Sequence, residues 1–279
     1  MDQNEHLKFP NLFSAASLQD FVDCPRRFQL RHMLKLAWPA IESEPVLEVE
    51  TLMQLGRQFH RMVQQRQLGI PIEQLQDLIK DNTLQRWWEN YLRFESQSVI
   101  KGRRFPEVAM SAPFGAARLV AQMDLVLVSD EGRVFIYDWK TSRHRPHRSW
   151  LTSRLQSRVY PYLLSQGGAH FTDGLLIEPR QIEMIYWFAD FPDQAEKISY
   201  SQGQFESDRV FLKGLVEEII NLGRNDFPLT SKIDRCRYCV YRSLCDRGSQ
   251  AGFLDKENLY GEINREPLID FSKVEEIEF

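Results

Sequence analysis

Three ionisable residues at the end of one predicted hairpin could act on a phosphate: Asp124, Asp138 and Lys140. The stretches Ala121-Gln122-Met123-Asp124-Leu125-Val126-Leu127-Val128 and Val134-Phe135-Ile136-Tyr137-Asp138-Trp139-Lys140 are rich in β-branched and aromatic residues. Asp130-Glu131-Gly132 between them is a turn signal. With the turn centred on Glu131, Asp124 falls opposite Asp138. Side chains alternate along a strand, so Val134, Ile136, Asp138 and Lys140 share one face, while Phe135, Tyr137 and Trp139 take the other. Two facing carboxylates repel unless a cation sits between them. Mg²⁺ suits carboxylate oxygens, at roughly 2.0–2.1 Å, and keeps positions for water and phosphate. A lysine two residues beyond such a ligand can orient a bound water or stabilise charge developing on a phosphate. The competing reading is a surface hairpin with an accidental Asp–Asp pair, and Asp-x-Lys alone does not separate the two.

The elements that must hold this hairpin follow from periodicity. Ser17-Leu18-Gln19-Asp20 reads as a capping-box-like helix start, and Pro25 ends that helix and opens the next, to about Leu36. Cys24 sits at their junction. A helix over 48–67 places Gly56 and His60 one turn apart on one face, where glycine permits close approach. A helical stretch over 71–100, interrupted near Asp81-Asn82, offers Trp87, Trp88, Tyr91 and Leu92 as a core face. Strands are expected over 105–114, 118–128 and 133–140, with Glu107 on the first as a further carboxylate. A helix over 149–164 carries Leu151, Leu155, Val159 and Leu163 on one stripe and stacks Gln156 with Tyr160. Two more strands (174–177 and 182–189) and an amphipathic helix (204–222) complete an α/β alternation, a central mixed sheet flanked by helices.

Charge and cysteines narrow the chemistry. A formal net charge of −4 argues against non-specific coating of nucleic acid, but a local basic channel is compatible with it. The span 141–170 contains no acid and gathers Arg143, Arg145, Arg148, Arg154 and Arg158, a candidate phosphate grip or else a solvated face. No apolar run approaches the ~20 residues of a membrane span. Met1–His6 lacks a basic-then-apolar leader, so a cytoplasmic location is the expectation. Cys236, Cys239 and Cys245 lie within ten residues, and with Cys24 they account for all four cysteines. In a reducing compartment such a set reads as metal ligands. Zinc and an iron–sulfur cluster both remain open from spacing alone.

Gly56-x-x-x-His60, Asp124, Asp138-Trp139-Lys140 and Gln156-x-x-x-Tyr160, in that order, resemble the RecB-like branch of the PD-(D/E)XK nuclease superfamily. Ser14-Ala-Ala-Ser17-Leu-x-x-Phe-x-x-Cys24-Pro25-Arg-Arg-Phe28, closed by Cys236, Cys239 and Cys245, is similar to the subgroup with a four-cysteine iron–sulfur cluster, which includes the AddB nuclease domain and four-cysteine CRISPR-associated nucleases. The resemblance implies a restriction-endonuclease-like core with an N-terminal helical region and a C-terminal cysteine segment. It implies one domain over 14–246, with a helical insertion at about 48–100 and the core at about 104–222; beyond it the polar, acidic composition of 247–279 predicts a flexible tail. It implies that His60, Asp124, Asp138 and the Trp139 carbonyl hold Mg²⁺ or Mn²⁺, and that Lys140 activates the attacking water. Gln156 and Tyr160 would support the site or orient DNA, and Cys24, Cys236, Cys239 and Cys245 would hold a [4Fe–4S] cluster, with zinc as the alternative. The implied activity is exonucleolytic cleavage of single-stranded DNA ends, in repair, recombination or CRISPR-type processing, with a helicase as a possible partner. The alternative is a catalytically silent DNA-binding subunit. Ala121, where such proteins often carry glycine, and Asp138, where many carry glutamate, depart from the pattern without removing a ligand.

Overall fold

The computed structural model describes residues 11–36, 44–98, 100–222, 227–237 and 239–248, with backbone alone over 44–50. The chain opens with β1 (Leu12–Ser14), α1 (Ala15–Asp23) and α2 (Pro25–Phe28), the last running into a π-turn over Gln29–Met33. Helices α3 (Glu44–Gln67), α4 (Ile72–Gln76) and α5 (Asn82–Gln97) precede a meander of β2 (Gly102–Phe114), β3 (Ala117–Ser129) and β4 (Val134–Lys140). Then come α6 (Arg148–Ser153), α7 (Gln156–Gly167), β5 (Ile182–Phe188), β6 (Phe191–Ser199) and α8 (Gln202–Asn221).

The hairpin turns as its residues dictate. Val128 pairs with Val134 and Leu125 with Tyr137, a register centred on Glu131. Gly132 closes the turn at φ 79°, a value that suits glycine and few other residues. The six-stranded sheet runs β1-β3-β4-β5-β6, with β2 on the other edge of β3; β1/β3 and β4/β5 are parallel, the remaining pairs antiparallel. Its two faces are the two sets of alternating side chains. Val126, Val134, Ile136 and Met184 pack with Leu18 of α1, Val159 and Leu163 of α7 and Leu212 of α8. Leu125, Leu127, Phe135, Tyr137 and Trp187 pack with Phe59 and Met62 of α3 and Trp87, Trp88 and Tyr91 of α5. This is an α/β fold with a mixed central sheet flanked by helices. No described helix is long and apolar enough to cross a membrane.

Several local expectations need correction. The first helix is capped at Ser14, and Ser17 is its N3 partner: Ser17 N donates to Ser14 Oγ at 3.1 Å and Ser14 N to Ser17 Oγ at 2.9 Å. Residues 174–177 form no strand. Leu175 and Leu176 are exposed, because the edges they would need are already taken by β4 and β6 on either side of β5. The strand β6 itself was not expected: Pro192, Asp193, Glu196 and Lys197 give it no apolar alternation, which is the composition of a guarded sheet edge. The three-residue β1 is too short to carry a period. The predicted helix over 149–164 is two helices, since Arg154 adopts an extended conformation and the Leu155 N–H donates to Gln19 Oε1 on α1 at 3.1 Å. The acidic segment 249–279 lies outside the described residues, as does Gly223.

Candidate functional site

The site forms where β3 changes neighbours. β2 lines one edge of β3 throughout, while on the other edge β1 pairs at 118–120 and β4 at 125–128. Asp124 stands in the fork between them. Two residues beyond Tyr137, where the β3–β4 pairing ends, the Trp139 N–H donates to Asp124 Oδ2 at 2.8 Å, so a carboxylate replaces the missing ladder acceptor. The N–H and C=O of one extended residue leave on the same side, so the Trp139 carbonyl also faces the fork. Its indole packs on the opposite face, edge-on to Tyr91 and Phe94.

Two more groups reach Asp124. His60 Nδ1 lies 3.1 Å from Asp124 Oδ1. One turn earlier a Cβ on Gly56 would stand 2.8 Å from Thr141 Oγ1, so the glycine lets α3 seat against the residue that follows Lys140. Glu107 comes from β2, opposite Asp124 in a ladder that pairs Pro106 with Leu125 and Val108 with Met123. Its φ of 50° is left-handed, a strained choice for a residue with a Cβ. Gln122 Nε2 donates to Glu107 Oε2 at 2.8 Å. Ligand atoms of His60, Glu107 and Asp124 all lie within 4.8 Å of one another.

Asp138 takes a different set of partners. Lys140 Nζ lies 2.7 Å from Asp138 Oδ2 and donates to Gln156 Oε1 at 3.1 Å, while Gln156 Nε2 donates to Asp138 Oδ1. Apart from the ion pair, Asp138 Oδ2 is buried without a hydrogen bond. Burial raises the Asp138 pKa, Lys140 opposes that, and the Asp124 charge raises it further. The Tyr186 ring, paired with Asp138 across β4 and β5, has Lys140 Nζ 5.5 Å from its centroid. Its hydroxyl is 2.7 Å from Ser157 Oγ. Tyr160, one turn beyond Gln156 on α7, is half-buried against the core. The structure therefore brings His60, Asp124, Asp138, Trp139, Lys140, Gln156 and Tyr160 to one end of the sheet. Glu107 joins them through a bulge-like backbone, which strand alternation does not encode.

The predicted basic channel is a different matter. Arg154 is buried, 3.9 Å from Asp23 and stacked over Trp150, so it does not line a solvent channel. Arg158 pairs with the fully buried Asp208 at 2.9 Å, and Arg145 and Arg148 both pair with Glu196. Arg143 is exposed. The run lacks acids in sequence, but α8 and β6 supply them in space.

The cysteines do converge. Cys24, Cys236, Cys239 and Cys245 line one recess with Leu30 and Tyr241. Ordinary packing closes it: Phe227 packs on Phe21 and Phe28, Arg26 N donates to Pro228 O at 3.1 Å, and Tyr241 donates to Leu36 O at 2.8 Å. Burial, followed by the neighbouring Cys24 thiol, pushes the Cys245 thiol up.

A sequence profile described as the PD-(D/E)XK nuclease superfamily matches residues 12–246. The chain belongs to that superfamily. A Eubacterium rectale protein described as a proposed exonuclease is similar in fold to this PD-(D/E)XK chain, at 12% identity and a TM-score of 0.53, covering 91% of this chain and 94% of its own. The protein SSO0001 aligns at 17% identity over 88% of this chain and 90% of its own, but its TM-score of 0.39 is too low to bear on the fold. No curated protein matches the chain. PD-(D/E)XK nucleases use divalent metals, and the His60–Glu107–Asp124 trio is a candidate place for one.

Proposed function

We propose that the protein is a divalent-metal-dependent deoxyribonuclease that hydrolyses phosphodiester bonds at single-stranded DNA ends. The observation that carries this reading is the meeting of His60, Asp124, Asp138 and Lys140 in one fork of the sheet. The donor set fits Mg²⁺ or Mn²⁺: one imidazole, the carboxylate oxygens of Asp124 and Glu107, and a buried Asp138 whose Oδ2 faces the Lys140 ammonium at 2.7 Å. His60, Asp124, Asp138 and the Trp139 carbonyl would hold the ion, with Glu107 beside them. When bound, it would polarise a phosphate oxygen and lower the pKa of a water. Lys140, held by Asp138 and Gln156, keeps its ammonium at the mouth of the site, where it can neutralise charge on a phosphate oxygen or orient the attacking water. Gln156 fixes both partners at once, and Tyr160 flanks the entering strand.

In this reading 14–246 is one nuclease domain, and the cysteine recess holds a structural cluster that staples its first helices to its last segment. Four thiols on one recess fit such a group. A tetrahedral zinc, at about 2.3 Å per sulfur, needs its sulfurs about 3.8 Å apart. The recess offers four sulfur ligands to a [4Fe–4S] cluster, with zinc as the alternative.

The test is to incubate anaerobically purified protein with end-labelled single-stranded DNA in Mn²⁺, Mg²⁺ or EDTA, and to measure its iron and zinc. Cleavage with metal and none in EDTA is the expected result. A well-folded sample that binds DNA but cleaves it under no condition would overturn the reading in favour of a silent binding subunit. Glu107→Gly offers a second check. Glycine relieves the left-handed backbone, so the melting temperature should not fall. Loss of the third carboxylate should weaken Mn²⁺ binding roughly ten- to a hundredfold by titration calorimetry.

A further inference from the structure

The cations of the 143–158 run are mostly paired with acids, yet a protein with net charge −4 needs uncompensated positive charge near its site to hold a polyanion. Helix α3 carries such a pair. Arg57 and Arg61 are both exposed and stand one turn apart. Among the described residues, α3 has ion pairs at His60, with Asp124, and at Arg66, with Glu95, and none at Arg57 or Arg61. At about 100° per residue, Arg57 lies roughly 60° and Arg61 roughly 100° round the helix from His60, both on the same side. That side is the one away from Phe59 and Val63, which are buried against the core. Two guanidiniums with no ion pair among the described residues therefore stand beside the histidine that touches Asp124, on the solvent side of the same helix.

We propose that Arg57 and Arg61 form the phosphate grip that leads a single strand of DNA across α3 into the fork. The inference rests on the nuclease reading above and adds the path of the substrate. A helix repeats its side chains every turn, so the Cβ atoms of an i, i+4 pair stand about 5–6 Å apart, and two long guanidinium side chains rising from that base can each take one of two neighbouring phosphates. Guanidinium is suited to that task because its fork of donors matches phosphate oxygens. By contrast Arg145 and Arg148 already share Glu196, and each would have to give up that carboxylate to bind a phosphate.

The experiment measures binding of a labelled single-stranded oligonucleotide to the full chain in EDTA, where the reading predicts no cleavage, over a series of salt concentrations. Each neutralised phosphate contributes a slope of about −0.7 in log K against log salt on single strands. Arg57→Ala with Arg61→Ala should therefore flatten the slope by about 1.4 and weaken binding most at low salt, with an unchanged melting temperature because both positions are exposed. Arg57→Lys with Arg61→Lys should keep most of the wild-type slope. Arg145→Ala with Arg148→Ala should leave it within error of wild type. An unchanged slope in the Arg57/Arg61 double alanine variant overturns the proposal, as does an equal loss in the Arg145/Arg148 variant. Cleavage by wild type with Mn²⁺, run alongside, separates the two ideas. Wild-type cleavage with an unaltered slope in the variant sinks the path alone, whereas absence of wild-type cleavage sinks the nuclease reading whatever the slope.

Discussion

Asp138→Asn should lower DNA cleavage by on the order of a thousandfold or more while leaving the metal-free protein folded and at least as stable as wild type. The size of the loss follows from what the carboxylate does in the proposed site. It would supply negative charge to the bound cation and hold Lys140 at 2.7 Å, and electrostatic groups of this kind are worth about 10²–10³ each. Stability moves the other way because Asp138 is buried, and burial with the facing Asp124 raises its pKa in spite of Lys140. A carboxyl that ionises less readily in the fold than in the unfolded chain costs stability at pH values above its unfolded pKa. Asparagine removes that cost and can still accept from Gln156 Nε2. Cleavage rates with end-labelled DNA and thermal melting in EDTA check the two halves separately. A variant that unfolds would show Asp138 to be structural, and one that cuts at the wild-type rate would remove it from the site.

Cys24→Ser should lower stability by roughly 3–5 kcal/mol, the range that a cross-link closing a long loop supplies, and activity should fall with it. Cys24 lies between Asp23 and Pro25, and the recess it lines is closed by cysteines from the far end of the described chain. Beneath it runs a buried polar network. Asp23 accepts from Gln19 at 3.1 Å and from Arg27 at 2.9 Å, and has Arg235, the residue before Cys236, at 3.4 Å. Asp20 takes Arg27, Arg31 and His32. Burial alone would raise its pKa, but the His32 hydrogen bond and the two arginines hold it below the ordinary carboxylate value. The same Gln19 accepts the Leu155 N–H, directly before Gln156. A loosened cysteine frame should therefore free the start of α7 and the Gln156 amide together. Urea denaturation and hydrogen exchange at Leu155 and Gln156 are the measurements. Unchanged denaturation and unchanged cleavage in Cys24→Ser would dispose of the staple.

Much of this was legible in the chain. Strand alternation assigned the residues of β4 to their two faces, and the turn at Asp130-Glu131-Gly132 set the register that puts Asp124 across from Asp138. The spacing of Gly56 with His60 and of Gln156 with Tyr160 placed each pair on one helix face. These are local rules, in which each residue's direction depends on neighbours within a few positions.

What lay beyond those rules needed the tertiary structure. The sequence offers Glu107 as a further carboxylate, but its way into the trio runs through a left-handed backbone in β2, which alternation does not encode. The Arg143–Arg158 run is basic along the chain, whereas Coulomb attraction acts through space and brings Glu196, Asp208 and Asp23 to it. The break at Arg154 comes from Gln19 and Asp23 on α1, remote in sequence and adjacent in the fold. β6 leaves no apolar period in the sequence because an edge strand is held by its backbone partner and carries no buried face of its own. Sequence thus determined which residues could do the chemistry and which way they face. The fold decided which charges are left to meet a substrate, because only packing brings distant acids and bases together.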